Sequence, residues 1–149
     1  MPVPAYHAAY VLDASVAAKW FVRHPEKDRE KALALRGRHV DGRTRLIVPD
    51  FALLELANAI RYSPRGSEED GAAALGVLES LHLQVEPLSW DLLRKANAIA
   101  WAYKVAVYDA AYVALAELQG FPLITADEAL LKKMRGHSIV VALRDLDVS

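Results

Sequence analysis

The chain contains no cysteine, which excludes disulfides, thiolate metal sites and cysteine nucleophiles together. It also lacks a charge surplus. A formal net charge of −1 and a pI near 6.5 give no overall attraction to a polyanion, so any nucleic-acid site must be local. Its five histidines are scattered, with no pair at ligand spacing, and a histidine-metal site is not expected. No apolar run approaches the ~18 residues of a membrane span, and the opening MPVPAYHAAYVLD has no cationic segment ahead of a long apolar stretch; a soluble cytoplasmic protein is the expectation. There is no internal repeat and no low-complexity segment. What remains is 149 residues, 54% of them hydrophobic, enough for one domain over 1–149 with a substantial core.

Short apolar runs alternate with helical patterns, the rhythm of a parallel α/β sheet. Strands are expected at Ala9 to Leu12, Arg45 to Val48, Gln84 to Glu86, Pro122 to Ile124 and Ser138 to Val141. Helices are expected over Ser15 to Phe21, Glu26 to about Arg38, Asp50 to about Tyr62, Glu68 to Leu81, Trp90 to about Lys104, Asp109 to Gln119 and Glu128 to Arg135. Gly120 ends the penultimate helix. Ser63, Pro64 and Gly66 break the pattern after Tyr62, which makes Ser63 to Ser67 the expected flexible loop.

Four acids sit on separate, locally apolar segments: Asp13 in YVLDAS, Glu55 in PDFALLELANAI, Asp109 in VYDAAYVALAE and Asp127 in LITADEALL. Asp13 and Asp127 each follow a strand, and ligands in open α/β sheets bind beyond the carboxyl ends of the strands. Two carboxylates ~4 Å apart repel by about 4 kcal/mol at an effective dielectric of 20, so a fold that gathers four of them recruits a divalent cation. Metal-dependent phosphodiester chemistry is the sharp reading. The bland one is capping, open for Asp13, Asp109 and Asp127 alike. Asp50 is assigned to capping, and Glu128 to first-turn helix-dipole charge. Glu55 resists that reading: its helical neighbours Phe51, Ala59 and Tyr62 make a second apolar face opposite the stripe of Leu53, Leu56, Ala57 and Ile60. A carboxylate there must be protonated, paired or metal-bound.

These segments resemble the PIN domain family, and within it the compact VapC-like toxin ribonucleases. An apolar strand ending in Asp, a small residue and Ser is present as VLDAS; the family's proline-to-glutamate segment appears as PDFALLELAN, with Glu55 and Asn58; the alanine-rich helix appears as YDAAYVALAE, and the strand-Thr-x-Asp element as LITAD. The order and spacing are family-like across essentially the whole chain. The resemblance implies a three-layer α/β/α sandwich around a mostly parallel sheet of about five strands. It implies an endoribonuclease using Mg2+ or Mn2+, with Asp13, Glu55, Asp109 and Asp127 as metal-binding and catalytic acids. Ser15, Asn58 and Thr125 become the residues that orient those carboxylates. A homodimer and a cognate antitoxin protein are implied as partners, an Arg or Lys of the antitoxin taking the metal position against Asp13 and Asp109. The same pattern fits a PIN-like RNA-processing nuclease that is not a toxin; a silent binding module would have lost the acids.

RNA must also be held. Arg36, Arg38, His39, Arg43 and Arg45 cluster in RGRHVDGRTR, and Arg61 and Arg65 flank the loop after the Glu55 helix; all are candidate phosphate contacts, or ordinary solvated cations. Trp20, Trp90 and Trp101 lie in apolar helical patterns and read as core or interface. A haloacid-dehalogenase-like phosphotransferase would need a second acid two residues after Asp13, where Ser15 stands. A receiver domain would need paired acids after the first strand and a late strand-end lysine, and neither is evident.

Overall fold

A computed structural model describes residues 3–4, 9–22 and 25–148; most of the opening segment read for a leader therefore lies outside the described residues. In chain order the elements are β1 (Val3–Pro4), β2 (Ala9–Leu12), α1 (Ala14–Ala17) continued by a 3-10 turn (Ala18–Phe21), α2 (Arg29–Val40), β3 (Arg45–Pro49), α3 (Phe51–Arg61), α4 (Glu68–Leu81), β4 (Gln84–Glu86), α5 (Trp90–Tyr103), α6 (Val107–Gln119), β5 (Leu123–Thr125), α7 (Glu128–Lys133), β6 (Val140–Ala142), a second 3-10 turn (Leu143–Asp145) and β7 (Leu146–Asp147). No described helix is long and apolar enough to cross a membrane.

Five strands form one all-parallel sheet in the order β4-β3-β2-β5-β6. Strands buried on both faces need apolar side chains throughout rather than alternation. β2 (AYVL) and β5 (LIT) are buried at every position. From β2 the chain steps outward to β3 and β4, then returns across the sheet to β5 and steps outward again to β6. Right-handed crossovers therefore put the β2-to-β4 connections on one face and the β4-to-β5 connection on the other. The result is the three-layer α/β/α arrangement expected from sequence. It also creates a topological switch point between β2 and β5, where a ligand crevice opens at the carboxyl ends.

α6 is the central helix of its layer. It packs on β2, β3 and β5 and is covered by α5, so every residue from Ala110 to Ala116 is buried. Each fully buried Val or Leu there contributes about 1.5–3 kcal/mol relative to exposure. Its small residues let α5 and the sheet approach on opposite sides. Gly120 ends it at φ 74, a left-handed conformation that only glycine adopts without strain.

Several expectations need correction. α6 begins at Val107, with Ala106 as its N-cap, so Asp109 lies inside the first turn rather than opening the helix. α2 starts at Arg29 because Asp28 takes a left-handed φ of 59 just before it. Asp50 is already helical and makes no capping hydrogen bond; its Oδ2 instead accepts the Leu88 amide at 3.1 Å, tying the loop after β4 to the end of β3. On α3 the stripe of Leu53, Leu56, Ala57 and Ile60 faces inward as expected, but Ala59 and Tyr62, read as a second apolar face around Glu55, are exposed together with Glu55 itself. Ser63 to Ser67 is the loop between α3 and α4, as expected; within it the amides of Ser63 and Gly66 donate to the carbonyls of Ile60 and Ser63. A Cβ at Gly66 would lie 2.6 Å from the Ile60 oxygen. The β1–β7 pair has no counterpart among the expected strands.

Candidate active site

The four acids converge on the switch point from four elements. Parallel register sets Leu12 beside Ile124, so Asp13, one step beyond β2, comes beside Thr125 at the end of β5; the Asp13 amide donates to the Ile124 carbonyl at 3.0 Å. Asp13 has the N-cap position of α1 but caps nothing with its side chain. Its Oδ2 accepts from Ser15 Oγ at 2.5 Å and Thr125 Oγ1 at 2.8 Å. Each hydroxyl in turn accepts a backbone amide, Ser15 from Ala126 at 3.0 Å and Thr125 from Asp127 at 3.1 Å. Both hydroxyl protons are thus committed to one carboxylate oxygen, and the 125–127 turn is clamped to Asp13. The capping reading fails for Asp13, and its carboxylate is hydrogen-bonded by Ser15 and Thr125.

Asp127 does cap: its Oδ1 accepts the amides of Ala129 and Leu130 at the start of α7. That fixes its carboxylate without removing it from the site, because its charge acts on both Asp13 and Asp109. Glu55, on α3, receives the Tyr112 phenol at 3.1 Å on Oε1. Asn58, three residues beyond Glu55, is exposed, and among the described residues no hydrogen bond joins its side chain to an acid.

Like charges and desolvation dominate the electrostatics. Burial pushes the Asp13 carboxyl above its usual 3.8 and the Asp127 charge adds to the shift, against the opposing Ser15, Thr125 and Ala14 hydrogen bonds. Asp109 is raised by burial and by the charges of Asp13 and Asp127, with Lys133 partly offsetting them. Glu55 keeps part of its surface in water, yet it too is raised, by partial burial and by the charges of Asp13 and Asp109, against the Tyr112 hydrogen bond. Tyr112 is pushed well above 10.0 by burial and by the charges of Asp13 and Glu55, so it remains a neutral donor.

A divalent cation suits this donor set, since among the described residues the site offers carboxylate oxygens and no thiolate or imidazole. Among the described residues no three such side chains stand close enough to close around an ion by themselves. That openness is compatible with Mg2+, which keeps several waters and needs only one or two carboxylates plus substrate phosphate.

The basic candidates separate. Arg38 Nε donates to Thr44 Oγ1 at 3.2 Å and Arg43 pairs with Asp41 at 3.0 Å. With Arg36 they belong to the end of α2 and the turn into the amino end of β3, roughly 13 Å along the strand from the carboxyl ends that carry the acids. The first cluster is therefore not brought to the acids. Arg61 lies over the Tyr62 ring, 5.4 Å from its centroid. Arg65 lines an apolar cleft of about 700 Å³ between the first 3-10 turn, α3 and α4. Of the tryptophans, Trp20 is core, donating from Nε1 to the Ala32 carbonyl, whereas Trp90 and Trp101 are 74% and 81% exposed.

Two site residues escaped the sequence reading. Tyr112 was legible in principle, because it lies three residues after Asp109 and so shares its helix face. Lys133 was not: its ammonium donates to the Lys104 carbonyl at the turn before α6 and acts on Asp109, a contact between distant segments with no local signature.

An acid cluster at this switch point, clamped by a Ser at the start of α1 and a Thr at the end of β5, defines a class. The chain belongs to the PIN domain family, whose pattern its residues 10–136 match. It is 36% identical over 127 residues to Ribonuclease VapC3 of Pyrobaculum aerophilum, covering 83% of this chain and 92% of that one. A crystal structure of PAE2754 from Pyrobaculum aerophilum is similar at TM-score 0.62 and 26% identity, covering 92% of this chain and 90% of that one. A toxin–antitoxin complex from Klebsiella pneumoniae has TM-score 0.67 at 18% identity, with 90% and 97% covered, a likeness of fold alone.

Proposed function

We propose that this chain is a Mg2+- or Mn2+-dependent endoribonuclease of the VapC kind and the toxin of a toxin–antitoxin pair, with 1–149 as one catalytic domain. The observation that carries the reading is the convergence of Asp13, Glu55, Asp109 and Asp127 at the β2/β5 switch point, three of them with raised pKa from burial and mutual repulsion. Likeness to Ribonuclease VapC3 supports RNA as substrate, and likeness to toxin–antitoxin complexes supports an antitoxin partner. A nuclease acting on cellular RNA would work in the cytoplasm.

Asp13, Glu55, Asp109 and Asp127 would hold the cation, Asp127 with its orientation set by the α7 amides. A bound divalent cation would supply Lewis acidity, favouring loss of a proton from the attacking water and offsetting charge on the phosphate. Ser15 and Thr125 keep the Asp13 carboxylate turned to one side, and Asp109 stands in the first turn of a helix whose next seven residues are all buried. No side chain need become a covalent nucleophile. Arg61, Arg65 and Lys133 are the cations best placed to contact flanking phosphates; Arg36, Arg38 and Arg43 would meet only RNA that reaches the far end of the sheet.

A homodimer is supported by the exposed Trp101, Trp90, Leu54 and Tyr62, apolar surface that usually marks an interface. Phe51 does not contribute as the sequence suggested, because its ring packs edge-on against Tyr112 at 5.3 Å. The apolar cleft lined by Leu56, Ile60, Ala74 and Val77 offers a dock for an amphipathic antitoxin segment. The deciding experiment incubates purified protein with RNA and Mn2+, with and without chelator, beside Asp13→Asn. Metal-dependent internal cleavage lost in the variant is expected; cleavage unaffected by chelator or by the substitution overturns the reading. Co-expression with the neighbouring reading frame then separates a toxin from an RNA-processing nuclease.

A further inference from the structure

We infer that Tyr112 is the positioning residue for Glu55, and that α6 thereby sets two acids of the site, Asp109 directly and Glu55 through a phenol. The inference deepens the ribonuclease reading and rests on it for what the acids do.

The geometry is specific. Tyr112 is 1% exposed, its hydroxyl donates to Glu55 Oε1 at 3.1 Å, and its ring is held edge-on by Phe51. Phe51 opens α3 and Glu55 lies one turn later on it, so a single tyrosine is gripped by one residue of α3 and grips another. Asp109 and Tyr112 stand three apart on α6, side by side on one helix face.

A glutamate on the rim of an acidic site has reason to leave. Its side chain has three rotatable bonds, part of its surface meets water, and the charges of Asp13 and Asp109 repel it. A rotation would carry the carboxylate into solvent, away from those charges. The buried phenol opposes that rotation with a hydrogen bond to a charged acceptor, stronger than one between neutral groups. Tyr112 therefore does for Glu55 what Ser15 and Thr125 do for Asp13. The two arrangements differ in origin: the hydroxyls belong to the switch point itself, whereas the phenol reaches from α6 across to α3.

Tyr112→Phe removes the hydroxyl and keeps the ring against Phe51. Calorimetric Mn2+ titration without RNA, on wild type, Tyr112→Phe, Glu55→Gln and the double variant, tests the inference. Loss of the phenol is expected to weaken Mn2+ binding about tenfold, as outer-shell substitutions do; the double variant is expected to bind no more weakly than Glu55→Gln. Wild-type affinity in Tyr112→Phe overturns the inference, as does a further tenfold loss in the double variant, since Tyr112 would then act independently of Glu55. If wild type itself takes up no Mn2+, the metal reading falls. The 13C resonance of the Glu55 carboxyl in metal-free protein then decides the positioning: a shift in Tyr112→Phe supports it, and an unmoved resonance overturns it.

Discussion

α6 carries an acid near each end, and the two are treated in opposite ways. Glu117 has its charge answered: Oε1 meets His137 Nε2 at 2.8 Å and Oε2 meets Lys95 Nζ at 2.9 Å. Burial alone would raise its pKa, but the hydrogen bonds and charges of Lys95 and His137 outweigh burial and hold it below 4.5. Asp109, eight residues and roughly 12 Å earlier along the helix axis, is surrounded by Asp13 and Asp127, with Lys133 as a partial offset, and is raised. The chain has 18 Lys and Arg, so the shortage of cations at Asp109 is a matter of placement. One end joins α5, α6 and the loop before β6; the other is kept electrostatically unfinished. A carboxylate that costs stability and lies at a switch point is a stronger sign of function than one that merely lies in a cleft.

The largest test neutralises the unfinished end. On the proposed reading, Asp109→Asn should lower Mn2+ affinity and RNA cleavage at least ~100-fold, since it would remove both a ligand and its charge. The metal-free variant should melt no lower than wild type, because a repelled, partly desolvated charge has gone. Calorimetric Mn2+ titration and thermal scans in chelator check both halves. Unchanged affinity would remove Asp109 from the site.

Next in size is the hydroxyl clamp. Thr125→Val deletes the donor to Asp13 and the acceptor of the Asp127 amide while preserving shape, and cleavage should fall by about tenfold or more. Thr125→Ser keeps the hydroxyl and should restore most of the rate. Equal losses in both variants would mean that the methyl group's packing matters and the hydroxyl does not.

How much of this was legible from sequence divides along the same line. β2, β3 and β4, the stop at Gly120 and the segments bearing all four acids could be read, because buried parallel strands and strand-end acids leave local patterns. The direction in which a carboxylate points could not. Asp13 and Asp127 look alike in sequence, each following a strand, yet only Asp127 caps its helix; the difference comes from Ser15 and Thr125, which meet only after β2 and β5 pair. Asp50 looked like a third cap and binds the Leu88 amide instead. On α3 the inward stripe of Leu53, Leu56, Ala57 and Ile60 was legible, but the second apolar face read around Glu55 is exposed at Glu55, Ala59 and Tyr62, because apolar residues on a helix do not by themselves show what covers them. The β1–β7 pair escaped because two-residue strands carry no periodicity.

The finished end gives a smaller effect, on stability alone. Glu117→Gln removes the charge that Lys95 and His137 share and should cost about 1 kcal/mol, given the modest strength of part-exposed ion pairs. For a chain of this size that is a fall in Tm of roughly 2–4 °C. Mn2+ affinity and cleavage should stay at the wild-type level. A loss of cleavage larger than the loss of stability would show that the two ends of α6 are coupled.

The smallest effect is in pH, and it sharpens the contrast because the two ends carry opposite signs. A carboxyl whose folded pKa is raised binds more protons folded than unfolded, so the fold gains stability as pH falls through that raised value toward the ordinary 3.8 of Asp109. Glu117 is the reverse: its contribution is fully present above 4.5 and is lost only as pH falls through its lowered folded value. Between about pH 7 and the ordinary carboxyl range, Glu117 therefore adds a constant while Asp13, Glu55 and Asp109 add a slope. Metal-free wild type should gain on Asp109→Asn as pH is lowered through this window, because only wild type recovers the repulsion stored at Asp109. Subtracting the two Tm curves cancels the histidines, which titrate in both proteins. A difference that stays flat, or that widens in favour of the variant, would mean that Asp109 is not held above its ordinary value, and the contrast between the two ends of α6 would lose its electrostatic basis.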